Sequence, residues 1–288
     1  MESYSLGLYE KALPPDLGFA RMLSMTSFCG FDRLEISIDE SDYRLSRLEW
    51  NNQQIDELAR MASDANVSIK TMCLSGHRRY PFGSHDQVVR ERSIDILKKA
   101  VDFAARLGVS IIQLAGYDVY YEESDQITTG YFAENLAYAV EYSSKQGVIL
   151  AFETMETPFM DTVKKAMVYV NRIKSPWLGV YPDIGNLKNA SVKYGTDLLA
   201  DIDHGAGHIF AIHLKETQPG VYRDMVFGTG HTEYYDCLRK LWQQGVRMFT
   251  GEMWYDGKSD AEEVISDASQ FLRSRIDDVV KPTQQEKK

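Results

Sequence analysis

The segment WLGVYPDIGN, from Trp177 to Asn186, contains the features on which the fold prediction depends. Its apolar run from Trp177 to Tyr181 is typical of a short buried strand, and Pro182 ends that run. Asp183 therefore stands at the carboxyl end of the predicted strand. The Ile-Gly-Asn that follows is expected to break a helix.

The same arrangement, an apolar run that ends at a polar residue, occurs three more times along the chain. VILAFET leads to Glu153, HIFAIHLKET contains His213, and RMFTGEMW contains Glu252. These polar residues follow one another at intervals of about 30 to 40 positions. That interval is close to one strand-helix unit of a (β/α)8 barrel, in which about 250 residues make eight units.

Strand-like and helix-like segments alternate along the whole chain. The predicted strands are 5–10, 33–38, 68–75, 109–116, 148–154, 177–181, 208–214 and 246–253. The predicted helices are 16–28, 53–66, 87–107, 131–146, 161–173, 197–204, 236–244 and 260–276, and Asn51 or Asn52 is the expected cap of the second. This alternation predicts an α/β fold in which a parallel sheet closes into a single (β/α)8 TIM barrel. A doubly wound open sheet is the alternative, but no glycine-rich phosphate fingerprint follows the first strand.

The composition of the 288 residues fits one catalytic barrel domain at 1–280 and a disordered polar tail at 281–288. The formal net charge of −10 disfavours nucleic acid as a partner. No apolar run approaches the ~20 residues that span a bilayer, and no secretory signal is visible. Cys29, Cys73 and Cys237 are widely spaced and fit buried thiols. These features predict a cytoplasmic protein that does not bind membranes.

The polar residues at the ends of strands five to eight predict a metal site. These strands are neighbours in a barrel, so their carboxyl ends converge on one pocket. Burying three carboxylates together costs several kcal/mol for each uncompensated charge. A divalent cation bound by Glu153, Asp183, His213 and Glu252 would remove that cost, and this mixed set suits zinc, manganese or cobalt better than calcium. Each residue alone would more often be a cap or a core partner, so the prediction rests on the set.

Further residues are candidates for contact with a substrate. Glu35, at the predicted end of the second strand, is placed to meet substrate hydroxyls or to cap a helix. The basic triplet His77, Arg78 and Arg79 follows the third strand and suits a phosphate, or is a solvated loop. Lys215 points to the same side of the seventh strand as its histidine and could meet an anionic substrate.

The segments around these residues resemble the xylose isomerase-like superfamily of TIM barrels, and within it the L-ribulose-5-phosphate 3-epimerase family of bacterial L-ascorbate and L-xylulose catabolism. The resemblance is carried by EISIDESDYRLSRLEW, MCLSGHRRYPFGS, IQLAGYDVYY, FETME, YPDIGNL, HLKETQPGV, FGTGH and GEMW, which span about residues 30 to 255. It implies that a divalent metal is bound by Glu153, Asp183, His213 and Glu252, and that the first and last of these are the acid/base pair. It also implies a homodimer.

The chain departs from the related ketose 3-epimerases that act on free sugars. Those enzymes carry a histidine three residues after the metal aspartate and an arginine in the loop after the metal histidine. Here Asn186 stands at the first place, and Arg223 lies further on than the second. The difference favours a phosphorylated substrate, and it adds Asn186 and Arg223 to the candidates for substrate contact.

The predicted reaction is the interconversion of L-xylulose 5-phosphate and L-ribulose 5-phosphate through a cis-enediolate. Glu153 and Glu252 would serve the two faces of C3, with a metal as Lewis acid and no nicotinamide. An aldose-ketose isomerase on the same barrel is an alternative that spacing does not exclude. An abasic-site endonuclease would need more histidines and a basic face. A non-catalytic sugar-binding protein would not need a metal between two carboxylates.

Overall fold

Eight parallel strands form the centre of the protein in the computed structural model, which describes residues 3–281. They are β1 (Ser5–Tyr9), β2 (Arg33–Ile38), β3 (Ser68–Leu74), β4 (Ile111–Ala115), β5 (Ile149–Glu153), β6 (Leu178–Val180), β7 (Ile212–Leu214) and β8 (Met248–Gly251). The order in the sheet is β6-β5-β4-β3-β2-β1-β8-β7. Parallel bridges from Val180 to Ile209 and from Asp183 to His213 join its two ends. The sheet therefore closes on itself, and the predicted TIM barrel is confirmed.

Helices on the outside of the barrel connect successive strands. They are α1 (Phe19–Phe28), α2 (Asp42–Leu45), α3 (Asn52–Asp64), α4 (Gln87–Leu107), α5 (Gln126–Lys145), α6 (Val163–Ile173), α7 (Ile184–Tyr194), α8 (Leu198–Asp203), α9 (Tyr234–Gln243) and α10 (Ala261–Val280). Short 3₁₀ turns lie at Glu10–Ala12, Ser46–Glu49 and Gly76–Arg78. Asn51, one of the two predicted caps, is the N-cap of α3 and forms a reciprocal capping box with Gln54. Apolar side chains fill the layer between helices and sheet, where each fully buried Leu, Ile, Val or Phe stabilises the fold by about 1.5–3 kcal/mol.

The prediction that Ile-Gly-Asn breaks a helix is wrong, because α7 begins at Ile184. Asp183 is its N-cap, and its Oδ1 accepts a hydrogen bond from the backbone N–H of Asn186 at 2.8 Å. A Cβ on Gly185 would lie 2.7 Å from the Thr217 side chain and 2.8 Å from the Lys215 carbonyl oxygen. The glycine therefore permits close packing against the segment after β7. The cap outweighs the low helix propensity of the glycine.

Helix α5 also differs from the prediction, because it begins earlier than expected. The fifth helix starts at Gln126 and not near residue 131, because the Asp125 side chain accepts hydrogen bonds from the N–H groups of Ile127 and Thr128. The three cysteines are free and buried, as predicted. Across residues 3–281, no helix has the length and apolar character that crossing a bilayer requires. Of the predicted polar tail at 281–288, residues 282–288 lie outside the described residues.

The buried carboxylate of Glu10, which directly follows β1, binds two arginines. Glu10 is fully buried, and Arg47 donates to both of its oxygens at 2.7 and 2.8 Å. Arg44 lies 3.1 Å from the same carboxylate, and the Ser37 N–H donates to it at 2.7 Å. Both arginines belong to the segment that carries α2 and the following 3₁₀ turn. The ion cluster therefore fixes that segment against the barrel.

We expect Glu10→Gln to lower the free energy of unfolding by about 3–5 kcal/mol, because Arg47 would remain buried without the carboxylate that neutralises it. Chemical denaturation measures this quantity. Glu49→Gln is the matched control, since Glu49 pairs with Lys99 at 2.7 Å but its side chain is 56% exposed. The control should cost less than about 1 kcal/mol. Equal losses in the two variants would contradict the role assigned to burial.

Candidate metal centre

Four side chains from consecutive strands converge at the carboxyl end of the barrel. Glu153 is the last residue of β5, Asp183 follows β6, His213 lies in β7, and Glu252 directly follows β8. All four are buried, and one ligand atom from each lies within 4.8 Å of those of the others. The structure thus brings together the residues for which the sequence predicted metal binding. We call these four residues the metal group.

The ring of His213 has a defined orientation within this group. Its Nδ1 lies 3.5 Å from Glu153 Oε1 and 3.3 Å from Glu252 Oε2. Its Nε2 lies 2.6 Å from Glu35 Oε1. Nδ1 therefore faces the acidic ligands, and Nε2 faces the barrel interior.

Lys215 supplies a positive charge directly beside the acidic residues. Its Nζ lies 2.9 Å from Asp183 Oδ2 and 3.1 Å from Glu252 Oε2. The side chain points to the same side as that of His213, as strand alternation predicted. Burial lowers the pKa of Lys215, but the carboxylates of Asp183 and Glu252 raise it by more than burial lowers it. The amine is therefore charged.

The charges buried inside the barrel fit a divalent cation. Glu35 and the three acidic members of the metal group are four carboxylates, whereas Arg33 and Lys215 are two cations. In the state that binds a cation, with the carboxylates deprotonated and His213 neutral, the difference is two negative charges, which one divalent ion would neutralise. Asp183 Oδ2 and Glu252 Oε2 are also buried without a well-aligned hydrogen bond. The three carboxylates and one imidazole therefore match zinc or manganese in donor type.

The pKa values of these residues reflect their burial together. Burial raises the pKa of Asp183 well above its usual range, and the neighbouring Glu252 adds to this effect. Burial and Glu252 also raise the pKa of Glu153. For Glu252, burial acts in the same sense, but Lys215 and His213 outweigh it and hold its pKa well below the usual range. For His213, burial lowers the pKa, but Glu35 and Glu252 outweigh it and raise it well above 6.5.

Comparisons with known proteins identify the family of the chain. The model of the xylose isomerase-like TIM barrel family matches residues 26–275. The chain belongs to this family. Among its relatives, UlaE of Escherichia coli O8 (strain IAI1), an L-ribulose-5-phosphate 3-epimerase, is 39% identical over 272 residues, 94% of each chain. SgbU of Escherichia coli (strain K12), to which the same activity is provisionally assigned, is 42% identical over 283 residues, 96% of this chain and 98% of SgbU.

A solved structure shows the same fold at lower sequence identity. The IOLI protein with a bound zinc atom superposes with a TM-score of 0.80 at 17% identity, covering 96% of this chain and 100% of IOLI. The relatives of this chain are sugar-phosphate epimerases. This member of the xylose isomerase-like family is therefore an enzyme of the isomerase class, and its class of activity is epimerisation.

The sequence predicted that Glu35 lies at the end of the second strand. It lies instead in the middle of β2. It is fully buried inside the barrel. Its Oε1 contacts His213, and its Oε2 accepts a hydrogen bond from the Tyr181 hydroxyl at 2.8 Å. The structure therefore places Glu35 behind the histidine of the metal group.

The basic triplet after β3 is divided among three environments. His77 is buried, lies 4.3 Å from the Phe82 ring, and has its pKa lowered to about 4 by burial. Arg79 is exposed and pairs with Asp42 at 2.9 Å. Arg78 lies between these extremes, with its guanidinium 4.6 Å from the Tyr120 ring centre and its Nε buried without a partner. The turn at Gly76–Arg78 is 3₁₀, in which successive side chains point about 120° apart.

Asn186 and Arg223, the candidates suggested by the departure from the free-sugar enzymes, lie at different depths in the barrel. Asn186 is buried, and its Nδ2 donates to the Thr154 carbonyl at 2.8 Å, while its Oδ1 has no hydrogen-bond partner. Arg223 is exposed, with its guanidinium 5.2 Å from the Trp254 ring centre and 3.7 Å from Glu156 Oε1. Asn186 thus adjoins the metal group, and Arg223 belongs to the rim of the barrel.

Glu216 closes the long loop after β7, a role that was not predicted from the sequence. Its carboxylate accepts hydrogen bonds from the N–H groups of Thr217, Gly228 and Thr232 at 3.1, 2.6 and 3.2 Å. A Cβ on Gly230 would lie 2.1 Å from the Thr217 carbonyl oxygen, so the glycine is required for this closure. The available signal was the acidic residue directly after Lys215 together with the glycine-rich FGTGH.

We expect the affinity of this family member for zinc to rise with pH between about pH 5 and 8. Because the pKa values of Asp183 and His213 are raised, both side chains keep their protons to a higher pH than usual. A cation binds their deprotonated forms, so binding releases protons and is weaker at low pH. Calorimetry in buffers of different ionisation enthalpy measures the release. A heat and an affinity that do not vary with buffer or pH would contradict this account.

Proposed function

We propose that the protein is a metal-dependent 3-epimerase that interconverts L-xylulose 5-phosphate and L-ribulose 5-phosphate in a single catalytic barrel. The observation that carries the proposal is the buried metal group, in which two glutamates stand on either side of Asp183 and His213 in strand order. The similarity to UlaE, an L-ribulose-5-phosphate 3-epimerase, supports the choice of substrate. Zinc or manganese is the proposed cofactor, with cobalt also suited, and no nicotinamide takes part.

Epimerisation at C3 needs a base on one face of the carbon and an acid on the other. Glu153 and Glu252 come from β5 and β8, which are separated in the barrel by β6 and β7. Burial and Glu252 raise the pKa of Glu153, whereas Lys215 and His213 outweigh burial and lower the pKa of Glu252, so the two carboxyl groups differ in their electrostatic surroundings. A divalent cation, when bound, would supply Lewis-acid stabilisation of the charge that develops on the substrate oxygens.

Lys215 and Asn186 are proposed to contact the reacting end of the sugar. The Lys215 ammonium lies beside Asp183 and Glu252, where it would neutralise negative charge during proton transfer. Asn186 has a buried Oδ1 without a partner, and this oxygen would accept a hydrogen bond from a substrate hydroxyl.

We propose that the substrate phosphate binds at the rim beside Arg78 and Arg223. Arg78 packs on Tyr120, whose hydroxyl donates to Glu156 at 3.4 Å, and Arg223 lies 3.7 Å from the same carboxylate. The hydroxyl of Tyr117 is buried without a partner and belongs to a ring that packs on Tyr120 at 5.2 Å. Two arginines and a free hydroxyl are groups that a phosphate can satisfy. A homodimer and a cytoplasmic location remain predictions.

The function is tested by replacing each glutamate with glutamine. We expect Glu153→Gln and Glu252→Gln each to lower net epimerisation by about 10²–10⁴-fold, because one face of C3 loses its acid or base. In deuterated water, each variant should still exchange the C3 proton of one epimer without inverting it, and the two variants should favour opposite epimers. Nuclear magnetic resonance of the recovered sugar phosphates measures both outcomes.

Metal content is the control for this experiment, because glutamine is a poorer ligand than glutamate. If both variants keep their metal and turn over within about threefold of the wild type, the two-glutamate mechanism is wrong. Exchange at C1 in place of C3 would identify an aldose-ketose isomerase. Absence of turnover together with absence of metal in the wild type would indicate a sugar-binding protein.

We expect Arg78→Ala to raise the KM for the 5-phosphate substrate by roughly 10- to 100-fold, because a lost charge-assisted contact is worth about 1.5–3 kcal/mol. Steady-state kinetics measure the change. Arg79→Ala is the matched control, since Arg79 is its exposed neighbour and pairs with Asp42, and its KM should stay unchanged. Equal KM values for the wild type and Arg78→Ala would remove Arg78 from the phosphate site.

A further inference from the structure

We propose that Glu35 is a positioning residue that selects the ring nitrogen with which His213 binds the metal. This inference rests on the proposed metal site. Glu35 Oε1 lies 2.6 Å from His213 Nε2, and both side chains are fully buried. A carboxylate at this distance accepts a hydrogen bond from Nε2–H. Nδ1 is then left with its lone pair directed at the metal group.

Other neighbours of the imidazole do not make this selection. The Gln113 Nε2 lies 3.1 Å from Nδ1 and 3.2 Å from Nε2, so it is equally close to both nitrogens. Glu153 and Glu252 lie near Nδ1 at 3.5 and 3.3 Å. They are themselves members of the metal group. Among the described residues around the ring, Glu35 is the carboxylate that faces Nε2.

The second oxygen of Glu35 is also fixed. The Tyr181 hydroxyl donates to Oε2 at 2.8 Å and lies 2.7 Å from Thr250 Oγ1. The Arg33 guanidinium donates to Thr250 Oγ1 and to Thr71 Oγ1, each at 3.1 Å. A chain of buried polar groups therefore runs through the barrel from Arg33 to His213. It prevents the carboxylate of Glu35 from turning away from the imidazole.

The sequence reserves space for this chain of polar groups. Arg33 and Glu35 are two residues apart on β2, so both point into the barrel. A Cβ on Gly7 of β1 would lie 2.8 Å from Arg33 Cζ, and the glycine therefore makes room for the guanidinium. Barrel interiors are ordinarily filled by Val, Ile and Leu, and buried ionic groups are seldom more stable than such packing. A role in positioning His213 accounts for their presence.

The test is the zinc affinity of Glu35→Gln, measured on the full chain by competition with a chromogenic chelator. We expect the affinity to fall by about 10- to 100-fold, because the neutral amide holds Nε2–H less firmly. Glu10→Gln is the matched control, since it also removes a buried carboxylate, but from a separate ion cluster with Arg44 and Arg47 that does not contact His213 through any hydrogen bond or ion pair of the described residues. Its affinity for zinc should remain within about threefold of the wild type.

A spectroscopic readout separates positioning from a general loss of structure. In the zinc-loaded wild type, the Nε2 proton of His213 should resonate far downfield because it is bonded to a carboxylate, and Glu35→Gln should move it upfield. Tyr181→Phe should move it less, since Glu35 would keep its contact with His213 and lose one supporting bond. Should Glu35→Gln fail to fold, Tyr181→Phe becomes the test, with an upfield shift and weaker zinc binding expected.

Several results would overturn the inference. Unchanged zinc affinity and an unmoved Nε2 proton in Glu35→Gln, or in Tyr181→Phe where that variant is the test, would exclude positioning by Glu35. An equal loss of zinc affinity in Glu10→Gln would show that any buried carboxylate has the same effect. A wild type that binds no zinc, manganese or cobalt would overturn the proposed function together with this inference. Zinc binding by the wild type with an unaffected Glu35→Gln would overturn this inference alone.

Discussion

The burial of four carboxylates inside a parallel barrel, three of them at its carboxyl end, is the constraint on which the site depends. Such a group is strongly unfavourable unless positive charge is supplied, and the chain supplies part of it through Lys215 and Arg33. The remaining imbalance explains why a cation belongs to the proposed chemistry. It also explains why the imidazole of His213 is held between acidic groups on two sides.

The surroundings of the site are organised by other acidic residues with structural tasks. Glu10 fixes the segment after β2 through two arginines, and Glu216 closes the loop after β7 through backbone N–H groups. Glu10 directly follows β1, and Glu216 lies two residues after β7. Both segments are therefore held by buried polar contacts, which are directional. The result is a mouth whose shape is defined before a ligand enters.

Much of the fold followed from sequence because each strand of a parallel barrel is an apolar run with a polar residue at its end. The metal group was inferred in the same way, from polar residues at matching positions. The role of Gly185 could not be inferred, because it depends on packing against Thr217, a contact between distant segments. The interior position of Glu35 was missed, although its alternation with Arg33 in RLEISI was a visible signal. The division of the basic triplet depended on a 3₁₀ turn with no clear signature.

Asp183 caps a helix and is also a proposed metal ligand, and this double role affects how the protein can evolve. Its Oδ1 caps α7, while its Oδ2 belongs to the metal group. Asparagine would preserve the cap but lose the charge, and glutamate is not among the residues that cap helices well. A substitution of Asp183 would therefore lose either the helix cap or the charge. A glutamate at a strand end where it caps no helix has only its charge to preserve. Lineages that adapt to a different metal supply would be expected to vary the other ligands, or the residues behind them, and to retain this aspartate.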